Sequence, residues 1–233
     1  MTRGFPALCL AAFLLPLAAQ RPASPAPASS AQAPAAAQFQ VPRLTYSKSF
    51  RGSVPSFLQI TVRQDGVARF ESVDKPGDPP ATFDFTASKL LVSRVFALTR
   101  ALHDLAQPRL ESKSKVGYMG TKMLAYDDDG HHAQQTYNFT SVPAASELTD
   151  IFERIAASGE HAARLRHAVR YDHLGVVQEL DGITQDWSEH QLLAPELLRP
   201  LLEQVANDPA LMEIAHRRAH DLLAEMRDAS RIR

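Results

Sequence analysis

The sequence predicts an α+β protein: an antiparallel sheet packed by helices, followed by an all-helical C-terminal extension. Three observations predict it. In "SFLQITVRQDGVARFES", Leu58, Ile60 and Val62 alternate with polar neighbours, the period-two pattern of a half-buried strand. In "ASKLLVSRVFALTRALHDL", Leu91, Val95, Leu98 and Leu102 recur at helical spacing with Phe96 beside them. After Pro143 only helical patterns occur.

The N-terminus, "MTRGFPALCLAAFLLPLAAQ", sets Arg3 before an apolar run from Phe5 to Leu17, with Ala18 and Ala19 behind it. This is the plan of a secretory signal, cleaved after Ala19, so residues 1–19 are expected to be removed and the protein exported to the periplasm or secreted. The run is too short, and too broken by Pro6 and Pro16, to anchor the chain across a bilayer. Cys9, the only cysteine, lies inside it, without the small residue that precedes a lipidated cysteine. The mature chain therefore has no thiol for disulfides, nucleophilic chemistry or metal binding. Residues 20–38, "QRPASPAPASSAQAPAAAQ", are Ala, Pro, Ser and Gln with one Arg, a composition that cannot bury a core and predicts a disordered linker.

The folded part is expected as an α+β domain over 39–158 with a helical region over 159–233 packed on it. Of 25 cations only Arg3 and Arg21 precede Phe39, whereas all 26 carboxylates follow it, a balance of about −3. Such a domain has no electrostatic footprint for nucleic acid. Strands are expected at "RLTYSKSF", on both arms of the hairpin around Asp65-Gly66, and at "ATFDFT", with "DKPGDPP" as a surface loop. Register decides the hairpin turn. A two-residue Asp65-Gly66 loop would set Val62 against Arg69 and Ile60 against Glu71. A three-residue loop, Gln64 to Gly66, sets Val62 against Ala68 and Ile60 against Phe70, keeping one apolar face and requiring a left-handed Gly66. The helix from Ala87 is expected to be capped by Thr86 and to end before Pro108.

A second hairpin spans "GYMGTKMLAYDDDGHHAQQTYNFT". Beyond it, Leu148, Ile151, Phe152 and Ile155 form a helical stripe that Leu165, Ala168 and Val169 continue past Gly159. "YDHLGVVQELDGITQDW" reads as a helix interrupted by Gly175 and Gly182, and "APELLRPLLEQVA" as one begun by Pro195. The last helix should start at an Asp208 cap with Pro209 in its first position.

The densest group of potential metal ligands is "YDDDGHH", Tyr126 to His132. Centred on Gly130, a calcium loop would need an oxygen ligand at Ala125 and a Glu at the position of Thr136, so the motif fails at both ends. With Asp129-Gly130 as a two-residue turn, Tyr126 pairs with Ala133, Asp128 with His131 and Asp127 with His132; a four-residue loop keeps the same faces. Either way His131 and His132 point to opposite sides of the sheet, so the stretch reads as a corner. Glu213, His216 and His220 form the other candidate metal group, since His216 and His220 stand one helical turn apart. Arg217 replaces the general base that a zinc protease would need, and both His lie toward the polar side of the helix. The sequence contains no G-x-S-x-G elbow, phosphate loop or dinucleotide fingerprint, and no cofactor is implied. Surface candidates for binding are Tyr118 and Lys122 in "GYMGTK", Tyr171 and Trp187. Asn138 opens a formal sequon, "NFT", discounted because it lies inside a strand.

The order "SFRGSVPSFLQITVRQDGVARFES", helix, "MLAYDDDGHH", helix from Ala144 resembles small bacterial envelope domains of unknown function. The likeness covers residues 43–157 and rests on "ITVRQDGVARF". Those domains often carry Cys-Pro before the second strand, where this chain has Val54-Pro55, and the resemblance supplies no catalytic residue. The expected function is a non-catalytic binding or scaffolding module of the envelope, acting on another envelope protein or a small ligand. Its surface is expected on the open sheet face or at the junction with the C-terminal helices. The alternative is a metal-assisted hydrolase assembled from dispersed His and carboxylates.

Overall fold

The alternating segments form a six-stranded sheet in the computed structural model, which describes residues 40–106 and 108–232. The expected signal segment and linker lie outside the described residues. The strands are β1 (Arg43–Ser49), β2 (Phe57–Arg63), β3 (Val67–Val73), β4 (Ala81–Thr86), β5 (Thr121–Asp128) and β6 (His131–Tyr137). They lie in the order β4-β3-β2-β1-β5-β6, and every pair is antiparallel. The connection through α1 (Lys89–Ala101) returns the chain from the β4 edge to the free side of β1.

Both hairpins take the expected registers. Ile60 faces Phe70 and Val62 faces Ala68 across the first, with Gly66 at φ +93°. Across the second, Asp128 faces His131 and Asp127 faces His132 around a two-residue turn. One face of the sheet, bearing Leu44, Tyr46, Ile60, Phe70 and Leu124, is buried completely. The other bears Thr45, Gln59, Thr61, Arg69 and Gln134.

The fold class is thus α+β, with the C-terminal part helical: α2 (Pro143–Tyr171), α3 (His173–Ser188), a 3-10 turn (Pro195–Leu197), α4 (Arg199–Asn207) and α5 (Glu213–Ile232). Two cores result. Ala145, Leu148, Phe152 and Ile155 of α2 join the sheet and α1; Ala162, Leu165, Ala168 and Val169 of the same helix join α3, α4 and α5. The boundary expected between residues 158 and 159 therefore falls inside one continuous 29-residue helix.

Local details differ from expectation where short-range hydrogen bonds decide. Thr86 is the last residue of β4; Ser88 caps α1, its Oγ accepting from Leu91 N at 3.3 Å. Neither Gly175 nor Gly182 interrupts α3, because Gly175 N donates to the capping Asp172 Oδ1 and Gly182 keeps helical geometry. The helix from Pro195 divides, and α4 begins afresh at Arg199 with Pro200, which has no N–H to continue the preceding turn. Asp208 closes a turn rather than capping α5: its Oδ1 accepts from Ala210 N and its carbonyl from Leu211 N, so the helix begins at Glu213.

Two helical glycines make opposite predictions. A Cβ on Gly159 would lie 2.5 Å from the Phe70 ring, whereas one on Gly182 would meet His161 Cε1 at 3.5 Å, an ordinary contact. Gly159→Ala is expected to destabilise by about 1–3 kcal/mol through overpacking. Gly182→Ala is expected to be stabilising by about 0.5–1 kcal/mol through helix propensity. Chemical denaturation of the two variants checks the pair.

Candidate functional site

Three segments meet at the end of the sheet where β1 and β6 finish and β2 and β5 begin: residues 50–56, 112–120 and 138–142. The backbone has left the ladder here and is held by side chains instead. Asn138 clamps two of the segments together, its Nδ2 donating to Gly117 O at 3.1 Å and its Oδ1 accepting from Met119 N at 2.7 Å. Asn138 N in turn donates to Glu111 Oε2 at 2.7 Å, and Ser112 N to Phe139 O at 2.8 Å. The sequon residue thus ties loops together, just past the end of β6.

The clamp presents apolar side chains to solvent. Tyr118 is 61 % exposed, Met119 55 %, Val54 68 %, Val116 42 % and Phe139 38 %. The Tyr118 ring stands edge-on to Phe50 with centroids 5.7 Å apart, and its hydroxyl shares a 2.9 Å hydrogen bond with Thr121 Oγ1. Gly120 permits this approach: at φ +97° it has Phe50 Cβ and Ser49 O 3.0 and 3.1 Å from where its own Cβ would be. The charged residues within 50–56 and 112–120 are Arg51, Lys113 and Lys115, all exposed and all cationic.

Lys122, expected at the surface, is buried beneath this cluster at 6 % exposure. It sits directly across from Lys48, an unfavourable pairing of like charges on adjacent strands. Glu153 of α2 offsets it: Oε1 accepts from Lys48 Nζ at 3.2 Å and from the Tyr46 hydroxyl at 3.4 Å, with Lys122 Nζ at 3.8 Å. Burial first, and then the Glu153 charge, push the Tyr46 phenol well above its ordinary range. Lys122 Nζ also donates to Asn138 O at 3.3 Å, so it supports the clamp from below. The structure therefore brings Tyr118 and Lys122 together, one as exposed contact and one as buried support. Tyr171 is exposed at the end of α2, beside His167 at 5.0 Å between ring centroids, and Trp187 packs half-buried on the helical core. Among the described residues no ring contact or hydrogen bond joins either to Tyr118.

The most saturated polar cluster lies between α2 and α3. His161, 4 % exposed, places Nδ1 2.6 Å from Glu179 Oε1 and Nε2 2.9 Å from Asp186 Oδ2. Nδ1 also lies 2.9 Å from Arg164 Nη2, so both ring nitrogens are engaged by charged side chains. Arg164 Nε donates to the two Glu179 oxygens at 3.2 and 3.1 Å, closing the network on α3. Burial by itself would raise the Glu179 carboxyl, but the hydrogen bonds and charges of His161 and Arg164 prevail and hold it below its ordinary value. Neighbouring Glu160 goes the other way: burial dominates and raises it. Sequence reading missed this group because its members are separated by 18 and 25 positions. The available signal was a His on the apolar stripe of α2, flanked by Ala162 and one turn before Leu165.

The sequence-derived metal candidates are placed apart. His132 Nδ1 bonds Asp127 Oδ1 at 2.6 Å on the open face, while His131 Nε2 meets Asp104 O at 3.2 Å on the other. Asp127 is held below the ordinary carboxyl range: burial opposes this, but His132 and Arg43 outweigh it. His216 Nδ1 lies 3.6 Å from Glu213 Oε2, and its Nε2 is taken up by Asp208 O at 2.8 Å. Among the described residues no three His, Cys, Asp or Glu side chains are grouped to hold a metal ion, and no helix is long and apolar enough to cross a membrane. No family model matches the chain, and no curated protein matches it.

His161→Ala would leave Glu179 and Asp186 without the buried ring that both contact. We expect a loss of about 3 kcal/mol, measured by denaturation. The depressed Glu179 carboxyl contributes stability in full above its ordinary value of 4.5, and this is lost as pH falls through the lower folded value. The stability difference between wild type and Glu179→Gln should accordingly shrink on acidification below that pH.

Proposed function

We propose that the protein is an exported, non-catalytic binding module of the bacterial envelope, which docks another envelope protein through the sheet-end surface around Tyr118. The observation that carries this reading is the exposure of Val54, Val116, Tyr118, Met119 and Phe139 on loops already fixed by hydrogen bonds. Exposed aromatic and Met side chains are the residues that anchor interfaces. Loops ordered before binding reduce the entropic cost of association. Arg51, Lys113 and Lys115 around the patch favour a partner with an acidic rim and would speed encounter.

The N-terminal pattern and the resemblance to envelope domains support the location. The His161 cluster supports a non-catalytic role, because both ring nitrogens are already engaged, Nδ1 by Glu179 and Arg164 and Nε2 by Asp186.

Two measurements test the reading. N-terminal sequencing of protein recovered from the bacterial envelope should begin at Gln20; a cytoplasmic chain retaining Met1 would overturn the location. A photo-crosslinking residue at position 118 should yield a discrete protein adduct in intact cells, and the same residue at 171 should not. The adduct should disappear when Met119→Ser and Phe139→Ser are added without change in thermal melting. Equal labelling at 118 and 171, or none at 118, would sink the docking surface.

A further inference from the structure

At the opposite end of the sheet, the β2–β3 turn and the first residues after β4 stand off from α1 and leave a cleft of about 420 Å³. Its volume falls in the range of small-molecule sites, which combine an apolar floor with a few polar groups. The floor is Val92 and Phe96, on successive turns of one face of α1, with Ala87 beside them; all three are buried. Gly66 and Thr86 form the facing wall. Gly66 is fixed there because Ala87 N donates to its carbonyl at 2.9 Å, at a left-handed φ of +93°.

The rim is cationic at both ends. Lys89 and Arg100 lie three turns apart on the face of α1 that carries Val92 and Phe96. The one carboxylate on the lining, Asp65, is already engaged: Oδ2 with Arg63 at 2.5 Å and Oδ1 with Val67 N at 3.1 Å. Among the described residues Lys89 has no carboxylate within 4 Å and no hydrogen bond. Arg100, by contrast, shares the field of Asp104 and Asp128, since all three act on the Tyr126 phenol. An unpaired ammonium beside an apolar trough is complementary to a ligand with one anionic group and an apolar body.

We infer that this cleft binds a small amphiphilic organic anion, with its apolar body on Val92 and Phe96 and its anionic group at Lys89. The site is separate from the Tyr118 surface and does not depend on it. A carboxylate head gains a charge-assisted hydrogen bond at Lys89, while its chain leaves water to fill the cleft over Val92, Phe96 and Ala87. A ligand of the same body without charge keeps only the second term.

Decanoate is a suitable probe, with decanol as its uncharged counterpart. Titrated into purified protein below its aggregation concentration and followed by heteronuclear NMR, decanoate should shift the Gly66, Ala87, Val92 and Phe96 signals in a saturable way. Lys89→Ala should weaken decanoate roughly tenfold and leave decanol unchanged. Ser93→Trp, placed at the exposed rim where folding is not at stake, should close the cleft and abolish both. Equal binding of decanol and decanoate to wild type would overturn the anion assignment. Shifts centred on Tyr118 and Phe139, binding unaffected by Ser93→Trp, or no saturable shift at all would overturn the site.

Discussion

The contact of Gly159 with the face of Phe70 sets how closely α2 approaches the sheet, and much else depends on that distance. Phe70 projects from β3, is completely buried, and lies where a side chain at position 159 would be. With no Cβ there, the helix can lie against the ring, and Leu148, Phe152 and Ile155 reach the sheet within the first core. Phe152 then stacks on Tyr46 with the rings 6° from parallel and 5.2 Å apart. Because α2 continues unbroken, its position over the sheet also fixes where Ala162 and Leu165 offer themselves to α3, α4 and α5. Phe83 of β4 packs on both cores, with the Arg166 guanidinium 3.9 Å above its ring. The helical region is thus an extension of the same packing.

The two polar clusters on α2 follow from this geometry. A helix laid across the sheet brings Glu153 over two cross-strand lysines, and two turns later turns His161 toward α3. Each cluster pairs opposite charges and is internally hydrogen-bonded, as buried charges must be. Both ring nitrogens of His161 are engaged, Nδ1 by Glu179 and Arg164 and Nε2 by Asp186, so any new partner for the ring has to displace one of these. A cluster of this kind fixes the rotation of α3 about its own axis, since only one helix face presents both Glu179 and Asp186 to a single imidazole.

What the sequence disclosed was whatever depends on near neighbours. The alternation around Asp65-Gly66 fixes which residues must face each other, because a one-residue slip would turn Val62 and Ile60 to opposite partners. The same reasoning gives the Asp128–His131 and Asp127–His132 pairs. Helix limits were less legible, since they turn on single competing hydrogen bonds: Ser88 outcompetes Thr86 once Thr86 is committed to β4, and Asp208 spends its acceptors on Ala210 and Leu211. The role of Gly159 was invisible because its partner is 89 positions away on β3. Lys122 was misplaced for a similar reason: only the fold shows that Glu153 and the Asn138 carbonyl make its burial tolerable. The His161 cluster needed the α2–α3 packing itself.

The open face of the sheet and the sheet end compete as binding surfaces, and desolvation decides between them. The open face is already cross-linked by its own groups: Thr45 with Thr61 at 3.1 Å, Arg43 and His132 with Asp127, and Arg69 with Asp84. Covering it would strip water from ion pairs that are worth little where they stand and would become costly if left imperfectly matched. At the sheet end the balance reverses. Gly117 O, Met119 N, Asn138 N and Asn138 O are satisfied from within by Asn138, Glu111 and Lys122, and apolar side chains make up much of the surface that a partner would remove from water. Burying those side chains gains free energy, and the four clamped backbone groups need no partner from outside. This difference in desolvation is what the proposed docking at the sheet end draws on, and that end lies far along the strands from the cleft at Lys89.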